Sequence, residues 1–461
     1  MASSPGQENG GAPEPRTETP GSGAGVAAFM RAQAREQKRL AMIRPAAPLS
    51  LHWRVQRWFG ATFVRELAWQ LSAVTAAQLA TLIAFGGLRS RVGKLFAGVL
   101  GLVLGAQLRY AIEAHRSVRV VEDALDGLPG SGERRIPLSH LAVPPLTFVA
   151  PDVVRERGVV FRTEPGAGPG GRDLKLRLDI YRPKPGTGGD KPGPRPAVIQ
   201  VHGGGWLAGS RYEQGIPLLN HLAGEGWVGF NIDYRLSPEA TWPEHIVDVK
   251  RAIAWVRENA EELGIDPERI AITGGSAGGH LTALAGLTAN DAAFQPGFED
   301  ADTSVMAAVP FYGVYDLTNE NGHYYPQLQE WVFEQITFKK PLAGNEELYR
   351  AASPRFRISA DAPPFMVIHG SRDTLVPVGD ARDFARELAA VSNSDVRYIE
   401  LPNAEHAFDL WPSVRTARVA DAIGRFLAAV LEQRDALVAT DTGVAATTST
   451  TSTTEEQLTN N

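Results

Sequence analysis

The chain has 461 residues, no cysteine, a formal net charge of −6 and 43% hydrophobic residues. Without a thiol it makes no disulfide, holds no zinc through cysteine and has no cysteine nucleophile. Mild acidity with no dense basic patch excludes a nucleic-acid binder, while the hydrophobic share is ample for a large core.

Residues 1–30, rich in Pro, Gly, Ser and Glu, read as a disordered tail, and 436–461 as a Thr/Ser-rich disordered tail. Segment 31–66 is basic and juxtamembrane in character: Arg31, Arg35, Lys38, Arg39, Arg44, Arg54, Arg57 and Arg65 face only Glu36 and Glu66. Residues 67–88 then run for 22 positions without a charge, about 33 Å as a helix at ~1.5 Å per residue, against a hydrocarbon core of roughly 30 Å. After Arg89, Arg91 and Lys94, residues 95–108 add 14 uncharged positions, short for a span and suited to a re-entrant or interfacial piece.

Together, 67–108 read as an apolar helical hairpin or transmembrane segment. The expectation is membrane association, at the cell membrane. Gln70, Ser72, Thr75, Gln78 and Thr81 keep an alternative open, a buried hairpin packed on a soluble domain. The apolar stretch starts too far from Met1 for a cleavable signal peptide. Lys and Arg on every flank leave its orientation undecided. A connecting helical segment is expected over 109–149.

From 150 to 435 strands alternate with helices. VVFRT (159–163) and the alternating LKLRLDIY (174–181) come first, then AVIQVH (197–202), WVGFNID (227–233), IAITG (270–274), MAAVPFYG (306–313), PFMVIHG (364–370) and VRYIEL (396–401). Residues 243–264 place Ile246, Val249, Ile253 and Val256 at helical spacing, with Gly264 as a stop. This order predicts an α/β fold: a mostly parallel central sheet with helices on both faces and an antiparallel edge, preceded by the N-terminal helical region. GAGPGG (166–171) fits a dinucleotide fingerprint in letters alone. A strand follows it, so no helix N-terminus receives a pyrophosphate.

AITGGSAGGH (271–280) sets one serine among glycines where a strand ends and a helix begins. A serine held there in a strained turn, with its hydroxyl above the sheet edge, forces the residues two before and two after into close contact. Ser276 is therefore the candidate nucleophile, and the helix start behind it presents free N–H groups to developing negative charge. HGGGW (202–206) follows a strand where a second set of amides can converge. Gly203, Gly204 and Ala277 are the expected oxyanion donors.

Downstream, Asp373 stands just past one strand end and His406 a few residues beyond the last strand. His406 would take the serine proton, and Asp373 would hold the imidazole tautomer. Among rival acids, Asp380 and Asp383 fall on a predicted helix, and Glu405 adjoins His406 too closely to reach the far ring nitrogen. His202 reads as a brace for the glycine loop and His280 as packing, while His245, His323 and His369 have no evident partner. The aromatic-rich segment 313–342 reads either as a lid or pocket wall or as ordinary helix packing.

HGGGW, DYRLSPEATWP (233–243), GGSAGGHL (274–281), HGSRDTLVP (369–377) and EHAF (405–408) together resemble the hormone-sensitive-lipase-like carboxylesterases of the α/β-hydrolase superfamily. The resemblance covers about 150–433. It implies a serine carboxylesterase acting through an acyl-enzyme, with Ser276, Asp373 and His406 as triad and no metal or organic cofactor. Asp233, Tyr234 and Arg235 match a segment supporting the oxyanion loop. Many members carry an acid just before the serine, where this chain has Gly275. That departure leans toward relatives with N-terminal membrane segments, including prenylcysteine-methylesterase-like enzymes, and arylformamidase-like relatives share the H-G-G turn. The expected substrate is a small-molecule or lipid ester, and a hydrolase-fold protein that binds partners or ligands without turnover is the remaining alternative. Such proteins commonly lack a triad member, and here all three are present.

Overall fold

The computed structural model describes residues 49–128, 150–411 and 413–455. The expected tail 1–30, the basic segment up to 48, residues 129–149 of the connecting segment and the last residues of the C-terminal tail lie outside the described residues.

The eight strands expected from hydrophobic patterning form one sheet: β1 (Val153–Glu164), β2 (Leu174–Pro183), β3 (Arg195–Val201), β4 (Val228–Ile232), β5 (Ile265–Gly275), β6 (Ala307–Phe311), β7 (Phe365–Gly370) and β8 (Val396–Leu401). They lie in the order β1-β2-β4-β3-β5-β6-β7-β8. Only the β1–β2 and β2–β4 pairs are antiparallel, and the other five run parallel. Alternate residues of β3 feed opposite layers: Ala197, Ile199 and Val201 join one apolar cluster and Val198 the other. The first layer is closed by α5 (Glu244–Glu258) and α6 (Ala277–Leu287). The second is closed by α4 (Ile216–Gly224) and the last helix, α8 (Val414–Glu455). Between β7 and β8 runs α7 (Val378–Val391).

The sheet is parallel because each crossover returns through a helix, so its strands are buried on both faces and lose the alternation seen in β2. Even in β2 the outer face is not open. Asp179 is fully buried, with its carboxylate between Arg155 (2.7 Å) and Arg211 (2.8 Å). Helix α8 carries its hydrogen-bonded backbone past 435, where composition predicts a solvated tail; a packed first half supplies the nucleus from which a helix propagates at little cost.

Three helices precede the sheet: α1 (Leu49–Glu66), α2 (Ala68–Ala84) and α3 (Arg91–Ala124). Ser90 caps α3 by accepting the Gly93 N–H at 2.9 Å. The run 95–108 is not the short re-entrant piece that its length suggests. It is the first half of a 34-residue helix, because no proline or glycine interrupts residues 106–124. Among the described residues, α3 is the one helix that by itself is long and apolar enough to cross a membrane, and only 6% of its most apolar window is buried.

The hairpin turns part of its polar side inward. Of the five polar residues that kept the soluble alternative open, Gln70, Ser72 and Thr75 are buried and Gln78 and Thr81 exposed, while Phe85 is 87% and Leu102 78% exposed. The second half of α3 turns inward, burying Ala111, Ala114, Val118 and Val121, and Glu122 pairs with Arg425 of α8 at 2.9 Å.

Candidate active site

Strand β5 ends at Gly275 and α6 begins at Ala277, so Ser276 alone makes the turn, at φ 58° and ψ −120°. An L-residue holds that conformation only where its surroundings over-determine it. Here the Ser276 N–H donates to Phe311 O (3.0 Å), and its carbonyl accepts the His280 N–H (2.9 Å). A Cβ at Gly274 would sit 2.6 Å from Val201 O, and one at Gly278 only 2.1 Å from the same atom. The glycines are thus a steric requirement of the strand-to-helix turn against β3.

Gly275 has a separate cause. A Cβ there would meet the Tyr312 hydroxyl at 2.6 Å, and that hydroxyl donates to Asp409. Where many resembling sequences place an acid on the chain before the serine, this protein brings in a tyrosine and an acid from other loops. Burial, reinforced by the Asp409 charge, pushes the Tyr312 phenol far up, so it stays a neutral donor. Its ring also lies 4.6 Å from that of His406. Tyr312 thereby ties the serine turn to the histidine loop, and no local sequence signal announces it.

The glycine loop folds tightly beside the serine. The Tyr234 hydroxyl donates to His202 O at 3.0 Å and its ring stacks on the His202 imidazole at 4.4 Å, while His202 Nδ1 lies 2.8 Å from Gly203 O. His202 is the brace expected of it. Asp233 accepts from Arg211 N–H (3.0 Å) and Asp248 accepts from Arg235 N–H (2.9 Å), fixing the neighbouring segment.

One expected donor is corrected. The Gly203 N–H donates to Gln214 Oε1 at 2.7 Å, so it is committed to a side chain and unavailable to an oxyanion. Gly204, at φ 115°, and Gly205, at φ 61°, carry the backbone around the turn. Among the described residues, no protein acceptor takes the amides of Gly204, Gly205 or Ala277.

His406 and Asp373 meet. His406 Nδ1 lies 2.6 Å from Asp373 Oδ2, and both side chains are almost fully buried. The other carboxylate oxygen accepts the N–H groups of Leu375 (2.9 Å) and Val376 (2.7 Å). His369, a residue without an evident partner in the sequence, supplies a second imidazole 3.2 Å from Asp373 Oδ2, and its Nε2 lies 2.9 Å from Val376 O. Burial by itself would raise the Asp373 carboxyl; the His406 charge and hydrogen bonds from His369 and His406 outweigh it and hold the group well below the usual range.

The rival acids are placed elsewhere. Asp383 accepts from His323 Nε2 and Asn321 Nδ2, both at 2.8 Å. Glu405 accepts the Thr374 N–H at 2.6 Å and Arg65 at 3.0 Å. His245 pairs with Ser237 at 3.1 Å. His280 is pushed down to about 4 by burial and stays neutral.

Asp380 is buried, accepting the Tyr315 N–H (2.6 Å) and the Tyr324 hydroxyl, and burial pushes its carboxyl up to about 6 from 3.8. The folded state therefore keeps a proton that the unfolded chain releases earlier. This stability is present below the unfolded value and is lost as pH rises through about 6. Asp380→Asn, neutral at every pH, is expected to lose progressively less Tm against wild type between about pH 4 and pH 6, the difference levelling off above that range. A deficit that stays constant or widens over that range contradicts the assignment.

Segment 313–342 packs against the glycine loop. Its π-helical stretch Gln327–Phe338 buries Trp331, Val332 and Phe333, and Phe333 meets Trp206 of the glycine loop edge-on at 5.8 Å. From the N-terminal side, the Arg54 guanidinium covers Tyr325 at 4.1 Å.

Comparison with known proteins finds esterases among the similar sequences. The family model BD-FAE matches residues 178–388. The eight-stranded, mostly parallel sheet with its flanking helices is that of the α/β-hydrolase fold. This chain is 52% identical over 253 residues to the probable carboxylic ester hydrolase LipM of Mycobacterium tuberculosis, covering 55% of this chain and 58% of that protein. It is 49% identical over 269 residues to the esterase LipQ of the same organism, covering 58% and 62%. This chain thus spans less than two thirds of either relative. Among solved structures, the bifunctional GH43-CE protein of Bacteroides eggerthii matches with a TM-score of 0.50 at 25% identity, over 60% of this chain and 38% of that one.

Proposed function

We propose that the protein is a serine carboxylic-ester hydrolase that works through an acyl-enzyme at a membrane surface. The observation that carries the reading is the buried Asp373–His406 pair at 2.6 Å, which Tyr312 links to the turn holding Ser276 at φ 58°. In this reading His406 Nε2 accepts the Ser276 Oγ proton as that oxygen attacks the ester carbonyl. The oxyanion collects N–H donors from Gly204, Gly205 and Ala277, each typically contributing about 3–4 kcal/mol to the transition state. Collapse breaks the carbon–alkoxy bond, and the His406 proton leaves with the alcohol. Water, deprotonated by the same imidazole, then releases the acid and restores Ser276. The ionised Asp373 holds Nδ1–H throughout.

The membrane part of the proposal rests on the hairpin. Helices that hide Gln70, Ser72 and Thr75 and show Ile83, Phe85, Val92, Leu95 and Leu102 to their surroundings suit hydrocarbon as solvent, where polar side chains must find partners inside.

The full chain in detergent is expected to hydrolyse p-nitrophenyl butyrate and to be labelled once by a fluorophosphonate, at Ser276 by peptide mass. Esters of increasing acyl length, run beside an arylformamide and a prenylcysteine methyl ester, identify the substrate class. Preference for the arylformamide, or labelling at another residue, would count against the carboxylesterase reading. Partition into the pellet after an alkaline carbonate wash tests the membrane part; release into the supernatant rejects it.

A further inference from the structure

Helix α1 lies outside the hydrolase-fold domain, yet it binds the main chain of the histidine loop. Trp58 Nε1 donates to His406 O at 2.6 Å, and Thr62 Oγ1 donates to the same carbonyl at 3.2 Å. The Trp58 ring also stands edge-on to the imidazole at 6.2 Å. One turn further along, Arg65 reaches Glu405 Oε2 at 3.0 Å, and the Glu405 side chain is fully buried. The other oxygen of Glu405 takes the Thr374 N–H at 2.6 Å, next to Asp373. Trp58, Thr62 and Arg65 fall at helical spacing on one face of α1, while Trp53 and Phe59 lie exposed on another.

The carbonyl they hold precedes Ala407, whose φ is 53°, a left-handed conformation that a residue with a Cβ keeps only when its neighbours impose it. The His406–Ala407 peptide is one such imposed orientation, and the imidazole projects from it.

We propose that α1 is a strap whose Trp58, Thr62 and Arg65 are positioning residues for ester hydrolysis, fixing the His406 loop, and through Glu405 the Asp373 loop, from outside the catalytic domain. This rests on the proposed roles of Ser276, Asp373 and His406. Two carbonyl contacts and one charged contact act on the backbone bearing the general base, and a displacement of about 1 Å there costs on the order of 100-fold in rate.

The test uses the full chain in detergent micelles with p-nitrophenyl butyrate. The double variant Trp58→Phe/Thr62→Val keeps an aromatic ring at 58 and the side-chain shape at 62 but removes both donors to His406 O. It is expected to lower kcat about 10- to 100-fold, to change KM less than about twofold, and to slow fluorophosphonate labelling in proportion to kcat. Trp53→Ser, on the same helix but away from the loop, is expected to keep wild-type kcat. Circular dichroism and Tm of each variant separate misfolding from mispositioning, and Arg65→Lys, which keeps the charge, is expected to retain most of the rate. The strap is overturned if the double variant, folded, has wild-type kcat while Ser276→Ala is inactive, or if Trp53→Ser loses as much. Activity surviving in Ser276→Ala would instead overturn the reading of the site beneath it.

Discussion

Ser276→Ala is expected to reduce kcat for p-nitrophenyl butyrate by about 10⁶-fold, to the level left by an oxyanion site alone. The size follows from the elbow. Its backbone is already strained to present one hydroxyl, and the glycines on either side leave no room for another side chain to substitute, since a Cβ at Gly278 meets Val201 O at 2.1 Å. Alanine fits the same turn, so the fold and Tm should be kept while the reacting atom is lost. A variant retaining more than a hundredth of wild-type kcat would remove Ser276 as nucleophile.

Asp373→Asn is expected to cost about 10⁴-fold in kcat with KM little changed. The carboxylate accepts from every group around it: Nδ1 of His406, His369 and the amides of Leu375 and Val376. An amide in its place turns one acceptor into a donor, which favours the imidazole tautomer with its proton on Nε2, where no serine proton can be taken. Because Asp373 is held well below the ordinary carboxyl range, it stays ionised across the working pH range. Wild-type kcat/KM should therefore show no acid limb from this group. A loss below about tenfold in Asp373→Asn would point to another acid.

The hydrolase-fold sheet was readable because buried parallel strands leave uniform apolar runs such as AVIQV and PFMVI, separated by helical spacing. The elbow was readable because its steric demand is local: Gly274 and Gly278 face Val201 in any chain that makes this turn. Gly203 was misread because the direction of an amide in a loop depends on a partner 11 residues on, Gln214, which no motif marks. Tyr312 escaped for the same reason, since its contacts with Gly275 and with Asp409 and His406 come from two segments far from it in sequence. The hairpin shows a different limit. Composition counts polar residues but not the way they face, and only the packed helices place Gln70, Ser72 and Thr75 inside.

Glu66, at the end of α1, and Arg415, near the start of α8, form an ion pair sealed from water, with Ser413 donating to the same carboxylate at 2.8 Å. Glu66→Ala in the intact chain leaves that guanidinium buried without its carboxylate, a fault costing about 3–5 kcal/mol. Trimming the N-terminal helices removes Glu66 and Ser117 together and uncovers Arg415 to water, which screens the lost pair.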